Sequence, residues 1–121
     1  MRLQTAMIYV KDLSRMAAFY GEVLGLRPVA GSRSDSWAEF DAGAATLGLH
    51  AIPPEIASQF EITNPPQPRE EYPVKLIFAV KDLDAEQARL EALGVTMTRR
   101  PWGSCDGMDP EGNIFQICLA V

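Results

Sequence analysis

Apolar and polar positions follow one pattern along this chain, and the pattern occurs twice. Met7 to Val10 is a short apolar run that breaks off at Asp12. From Leu13 the apolar positions Leu13, Met16, Ala17, Tyr20, Val23 and Leu24 recur at three- and four-residue spacing, which predicts a half-buried helix over residues 13–24. Asp12 suits the N-cap, because its carboxylate accepts from the amides that a first turn leaves unpaired. Gly25 suits the position after the last turn, where a left-handed residue ends a helix. Residues 27–33 read as a strand. Residues 36–41 and 45–50 read as a hairpin pair around Asp41-Ala42-Gly43-Ala44.

The second half repeats this order. Ile8-Tyr9-Val10-Lys11-Asp12-Leu13 returns as Phe78-Ala79-Val80-Lys81-Asp82-Leu83, and Leu24-Gly25-Leu26 as Leu93-Gly94-Val95. The prediction is a strand over 75–80, a helix over 83–93 capped by Asp82, a strand over 95–99, and a final pair over 104–108 and 113–121 around Asp109-Pro110-Glu111-Gly112. The order is βαβββ, twice. Two copies of one module make a pseudo-symmetric fold, so matched positions can be compared for chemistry.

Between the modules, residues 51–73 have no sustained period and hold six of the nine prolines: Pro53, Pro54, Pro65, Pro66, Pro68 and Pro73. The segment reads as a connector, or as a flap over a ligand cavity, and not as a third structural unit.

The chain of 121 residues has one domain's length, with 47% hydrophobic and 22% charged residues, ordinary for a globular protein. Its apolar runs are far shorter than the roughly 20 residues a bilayer crossing needs. The opening Met1-Arg2-Leu3-Gln4-Thr5 lacks a signal-peptide apolar stretch, so a cytoplasmic location is expected. A net charge of −5, with no basic cluster beyond Arg99-Arg100, argues against a nucleic-acid partner. Cys105 and Cys118 read as reduced thiols rather than a disulfide framework.

Tyr9-Val10-Lys11-Asp12-Leu13, Phe19-Tyr20, Val23-Leu24-Gly25-Leu26, Pro101-Trp102-Gly103 and Asp109-Pro110-Glu111-Gly112-Asn113, in this order, resemble the vicinal-oxygen-chelate superfamily. That superfamily includes glyoxalase I, extradiol dioxygenases, fosfomycin-resistance enzymes and bleomycin-resistance proteins. The resemblance spans the chain apart from the proline-rich segment. It implies an α+β fold of two tandem βαβββ modules, forming curled mixed sheets around a cavity, and a homodimer. In metal-using members, two inward side chains from the first strands and two from the last strands hold a divalent ion, usually as histidine and glutamate. Carried onto this chain, those positions are Thr5, its repeat mate Lys75, Gln116 and its mate Gly48. Threonine and glutamine are weak neutral ligands, glycine has no side chain, and a lysine ammonium repels a cation. No metal and no other cofactor is expected.

His50, the chain's only histidine, is the one residue that could support a displaced metal site, with Glu39 on the neighbouring strand. Two ligands fall short of the three protein ligands of a catalytic zinc. The plainer reading is a strand-end histidine or a polar contact to a ligand. Period-two alternation places Met7 and Tyr9 on the face of Thr5, and His50 on that of Gly48. Gly48 is expected to leave room where a metal-using member places a carboxylate. Lys75 reads either as an anchor for an anionic ligand or as a strand-mouth cation that snorkels to water or pairs with Glu39. Trp37 and Trp102 read as aromatic walls of a cavity, as in metal-free members resembling bleomycin-resistance proteins, or as core or interface packing. The acidic balance suits a cationic guest.

The expectation is a metal-free homodimer that captures a small organic ligand. Two alternatives stay open. One is a lyase- or dioxygenase-type enzyme of the same fold, using a displaced metal near His50 and Glu39 or acid–base chemistry by Lys75, Tyr9 or His50. The other is an interaction module that has lost its pocket.

Overall fold

The computed structural model describes residues 1–120, and the end of the last expected strand, Val121, lies outside them. The chain forms two compact units, Met1–Ile62 and Thr63–Val121. Their boundary falls inside the proline-rich segment. Each unit is βαβββ, and the whole is an α+β fold of two tandem modules.

In the first unit β1 (Thr5–Val10), β2 (Arg27–Pro28), β3 (Trp37–Asp41) and β4 (Thr46–Ala51) form one mixed sheet in the order β1-β4-β3-β2. β1 runs parallel to β4, so their connection must cross over, and the helix α1 (Leu13–Ala18) begins that crossover. The Asp12 carboxylate accepts from the Arg15 amide at 3.1 Å, the expected cap. After Ala18 the helix widens into a π-turn, Phe19–Val23, closed by the bond from the Leu24 amide to the Phe19 carbonyl. Gly25, at φ 80°, ends it. Val10, Met16, Tyr20 and Leu49 are at most 1% exposed, and each contributes about 1.5–3 kcal/mol by leaving water. The sequence reading of a strand over 27–33 is corrected. Only Arg27 and Pro28 pair regularly, because the chain turns back at 29–32, where the Ser32 amide and hydroxyl both bond the Val29 carbonyl.

In the second unit β5 (Leu76–Val80), β6 (Met97–Arg99), β7 (Cys105–Met108) and β8 (Ile114–Leu119) repeat the arrangement in the order β5-β8-β7-β6. The crossover helix is α3 (Leu83–Ala92), capped by Asp82, whose carboxylate accepts from the Ala85 amide at 3.0 Å. Leu90, Cys105, Phe115 and Ile117 form its dry core. Asp109 is 1% exposed and accepts from the amides of Glu111 and Asn113 and from the Asn113 side chain, which shapes the turn between β7 and β8.

The segment between the modules has more local order than a plain connector. It contains a one-turn helix, α2 (Pro54–Ala57). The Ile52 amide bonds the Val10 carbonyl, and the Lys11 ammonium bonds the Phe60 carbonyl while lying 4.9 Å from that ring's centre. These contacts tie residues 52–60 to the first unit. Further on, Arg69 bridges to Asn113 and belongs to the second.

Candidate functional site

Each sheet carries its helix on one face, and the expected site residues other than Trp102 lie on the other. In the first unit the buried Ala38, Phe40, Leu47 and Leu49 face α1 and its π-turn. Alternation then sends Thr5, Met7, Tyr9, Trp37, Glu39, Thr46, Gly48 and His50 to the opposite, open face. Strand register arranges them in rows. Tyr9 stands opposite His50 and His50 opposite Trp37, while Met7 stands opposite Gly48 and Gly48 opposite Glu39.

The first row is an aromatic cluster. The His50 ring lies 5.5 Å from the Tyr9 ring and 6.0 Å from the Trp37 ring, centre to centre. Tyr9 is 61% exposed, so the row presents aromatic surface outward. The His50 Nδ1 is 2.9 Å from the Ala51 carbonyl. A carbonyl can only accept, so Nδ1 donates and the neutral ring keeps Nε2 as an acceptor.

The second row corrects the expectation of room at Gly48. A Cβ there would sit 2.4 Å from Cη2 of Trp37 and 2.6 Å from Cζ2. The outer ring of the indole packs against the glycine and fills the space that a carboxylate would take. Its Nε1 donates to Glu39 Oε1 at 3.0 Å, which fixes both side chains. Thr5 is also engaged, through a 2.8 Å hydroxyl contact with Thr46.

His50 also borders a groove of about 870 Å³, walled by Ile52, Pro53, Pro54 and Ala57 from the inter-module segment and by Asp12, Leu13 and Ser14 from the start of α1. Its size lies in the range of small-molecule sites, and its lining is mainly apolar.

In the second unit the open face carries Lys75, Ile77, Ala79, Ser104, Asp106, Ile114, Gln116 and Cys118. Gln116 stands opposite Ile77 on one side and Asp106 on the other. The expected pairing of Lys75 with Glu39 is corrected. Lys75 Nζ reaches both carboxylate oxygens of Asp106, at 3.3 and 3.2 Å, because Asp106 lies on the same face of the same sheet. Asp106 is 4% exposed and also accepts from Arg100 Nε at 2.8 Å. That hydrogen bond holds the guanidinium above its ordinary pKa. Trp102 is 69% exposed at the β6–β7 turn and is not a core residue of the described chain.

Asp106 and Arg100 are the residues that sequence reasoning passed over. A signal existed for Asp106, which occupies the row of Gln116 as Glu39 occupies the row of Gly48. Arg100 becomes visible only through the turn that folds it back.

The residues at the positions used by metal-binding relatives do not fit a divalent ion. In the first unit one is a threonine bonded to a neighbouring hydroxyl, and the other is a glycine under an indole. In the second, one is an ammonium held by a carboxylate and the other a neutral amide. Among the described residues no three histidine, cysteine, aspartate or glutamate side chains come together to hold a metal. Among the described residues no helix is long and apolar enough to cross a membrane.

A family model described as a glyoxalase-like domain matches residues 5–118. TnmS3, an antibiotic-binding protein from Streptomyces sp. CB03234, superposes with a TM-score of 0.70 at 23% identity, covering 100% of this chain and 97% of its own. A glyoxalase/bleomycin resistance protein/dioxygenase family enzyme from Burkholderia phytofirmans PsJN gives 0.70 at 25% identity, covering 94% of each chain. The fosfomycin resistance protein FosX from Listeria monocytogenes gives 0.69 at 18% identity, covering 98% of this chain and 89% of its own. No curated protein matches the chain significantly.

Proposed function

The chain belongs to the glyoxalase-like domain family, and from that premise we propose that it captures a small organic molecule with a planar aromatic surface, without a metal, as a homodimer. The observation that carries this reading is the Tyr9–His50–Trp37 row beside the apolar groove. Stacking needs flat faces held still. Trp37 is held by Gly48 beneath it and by Glu39 at its nitrogen, so little side-chain freedom remains for a ligand to quench. His50 Nε2 offers one oriented polar contact. The neighbouring antibiotic-binding protein of the same fold supports capture of a small organic molecule.

The dimer reading rests on exposed apolar side chains. Tyr9 and Met7 on one sheet face and Ile77, 57% exposed, on the other need cover from a ligand or a second copy.

The catalytic alternative has less behind it. Glu39 accepts from the Trp37 indole, and His50 donates to Ala51. Neither points to a shared metal or to a paired acid and base.

The test is a thermal-shift screen of planar aromatic compounds, cationic and neutral, followed by titration of any hit. Trp37→Leu and Tyr9→Ala are each expected to weaken the hit by roughly 0.5–1.5 kcal/mol, the range for an aromatic pair. A hit indifferent to both variants would remove the aromatic row from the site.

A further inference from the structure

We propose that the second unit carries a separate binding site for a planar aromatic carboxylate, anchored by Lys75 and Arg100 and bordered by Trp102. The site is a cavity of about 260 Å³ lined by Glu70, Lys75, Arg100, Trp102, Asp106 and Ile114. It stands on residues of that unit alone and does not depend on the aromatic row of the first.

The anchor is built on a buried acid. Asp106 accepts from two cations at once, Lys75 and Arg100, so these three side chains carry one positive charge in excess, while the exposed Glu70 and Glu71 bring the whole lining to one net negative charge. Asp106 uses Lys75 through two contacts and Arg100 through Nε alone. An ammonium has three N–H donors and a guanidinium has five, so donors remain for a ligand carboxylate. Lys75 and Arg100 are 37% and 30% exposed, which leaves those donors reachable.

Glu70 shows what this position accepts. Its carboxylate stands 3.7 Å from Arg100 Nη2, too far for a good hydrogen bond, and it is 62% exposed. It acts as a loose, replaceable counter-ion where a ligand carboxylate would bind. Glu71 also lines the cavity, so an entering anion meets two exposed acids as well as two cations. The chain's net charge of −5 opposes an anion at long range. That field is screened beyond about 10 Å at 0.1 M salt, and the donors in contact decide binding.

The aromatic part of the ligand follows from Trp102. Arg100 and Gly103 close a tight turn through the bond from the Gly103 amide to the Arg100 carbonyl, with Pro101 and Trp102 at its centre. The turn that folds Arg100 toward Asp106 therefore also displays the indole at the cavity rim.

The experiment titrates the full chain with cinnamate and with its neutral amide, cinnamamide, by calorimetry. Cinnamate should bind at least about tenfold tighter than the amide, as hydrogen bonds to a charged group require. Lys75→Met and Trp102→Ala should each weaken cinnamate. Glu70→Gln should tighten it by up to about fivefold, because it removes an exposed competing ion pair. Glu70 and Trp102 are exposed, so both variants are expected to fold, and melting curves check this. Equal affinity for acid and amide, no binding of either, or a Glu70→Gln variant that leaves cinnamate affinity unchanged would each overturn the proposal.

Discussion

Trp37 packs against Gly48 so closely that a methyl group on the glycine would stand 2.4 Å from the indole. The pair explains why this sheet face is aromatic where metal-using relatives place an acidic ligand. Gly48→Ala must push the ring away and break its bond to Glu39. A loss of about 1–3 kcal/mol is expected, the usual cost of overpacking. Chemical denaturation measures it. Adding Trp37→Leu should recover most of the loss, and no recovery would show that the glycine is needed for another reason.

Asp109 holds the last turn through three contacts while almost fully buried. Asp109→Ala leaves amide donors without a partner, at about 1–3 kcal/mol for each. Denaturant midpoints should show a stability loss of at least about 2 kcal/mol. Asp109→Asn, which keeps an acceptor, should lose less.

The two thiols should separate in labelling. Cys105 is fully buried, and its thiol pKa is raised, chiefly by desolvation. Cys118 is half-buried. A thiol reagent at neutral pH should modify Cys118 first and reach Cys105 only on unfolding. The pH effect has a definite sign. A raised folded value favours the protonated thiol, so this stability is present below the unfolded value near 9.0 and is lost as pH rises through the folded one. Melting temperature should fall on the alkaline side, and Cys105→Ala should flatten that fall.

Single replacements toward a metal site should fail. Gln116→Glu or Thr5→His supplies one ligand among partners that do not coordinate. Metal content by elemental mass spectrometry should stay unchanged in both. A rise in either would mean that the rest of a site already exists.

Much of the fold was legible because it is local. Asp12 and Asp82 cap their helices as read, Gly25 and Gly94 end them, and the repeated βαβββ order follows from periodicity. Alternation also placed Tyr9 on the face of Thr5 and His50 on the face of Gly48, whereas Trp37 read only as a cavity wall or as packing. What filled that face was not legible. Period two gives a direction and not a neighbour, so Gly48 read as vacant space although a residue eleven positions earlier covers it. The Lys75 partner was missed for the same reason. Glu39 and Asp106 are equally plausible acids in sequence, and only strand register brings Asp106 to the lysine. The strand over 27–33 failed because the chain turns at 29–32, where Gly31 takes a positive φ of 73° that a strand does not allow.

The central claim, ligand capture without a metal, is tested most directly by the divalent-metal content of untagged protein purified without chelators, measured by elemental mass spectrometry. Near-zero metal is predicted, because glycine under an indole and lysine on a carboxylate leave no coordinating set. One tightly held ion per chain would contradict the account and would make His50 and Glu39 the first residues to replace.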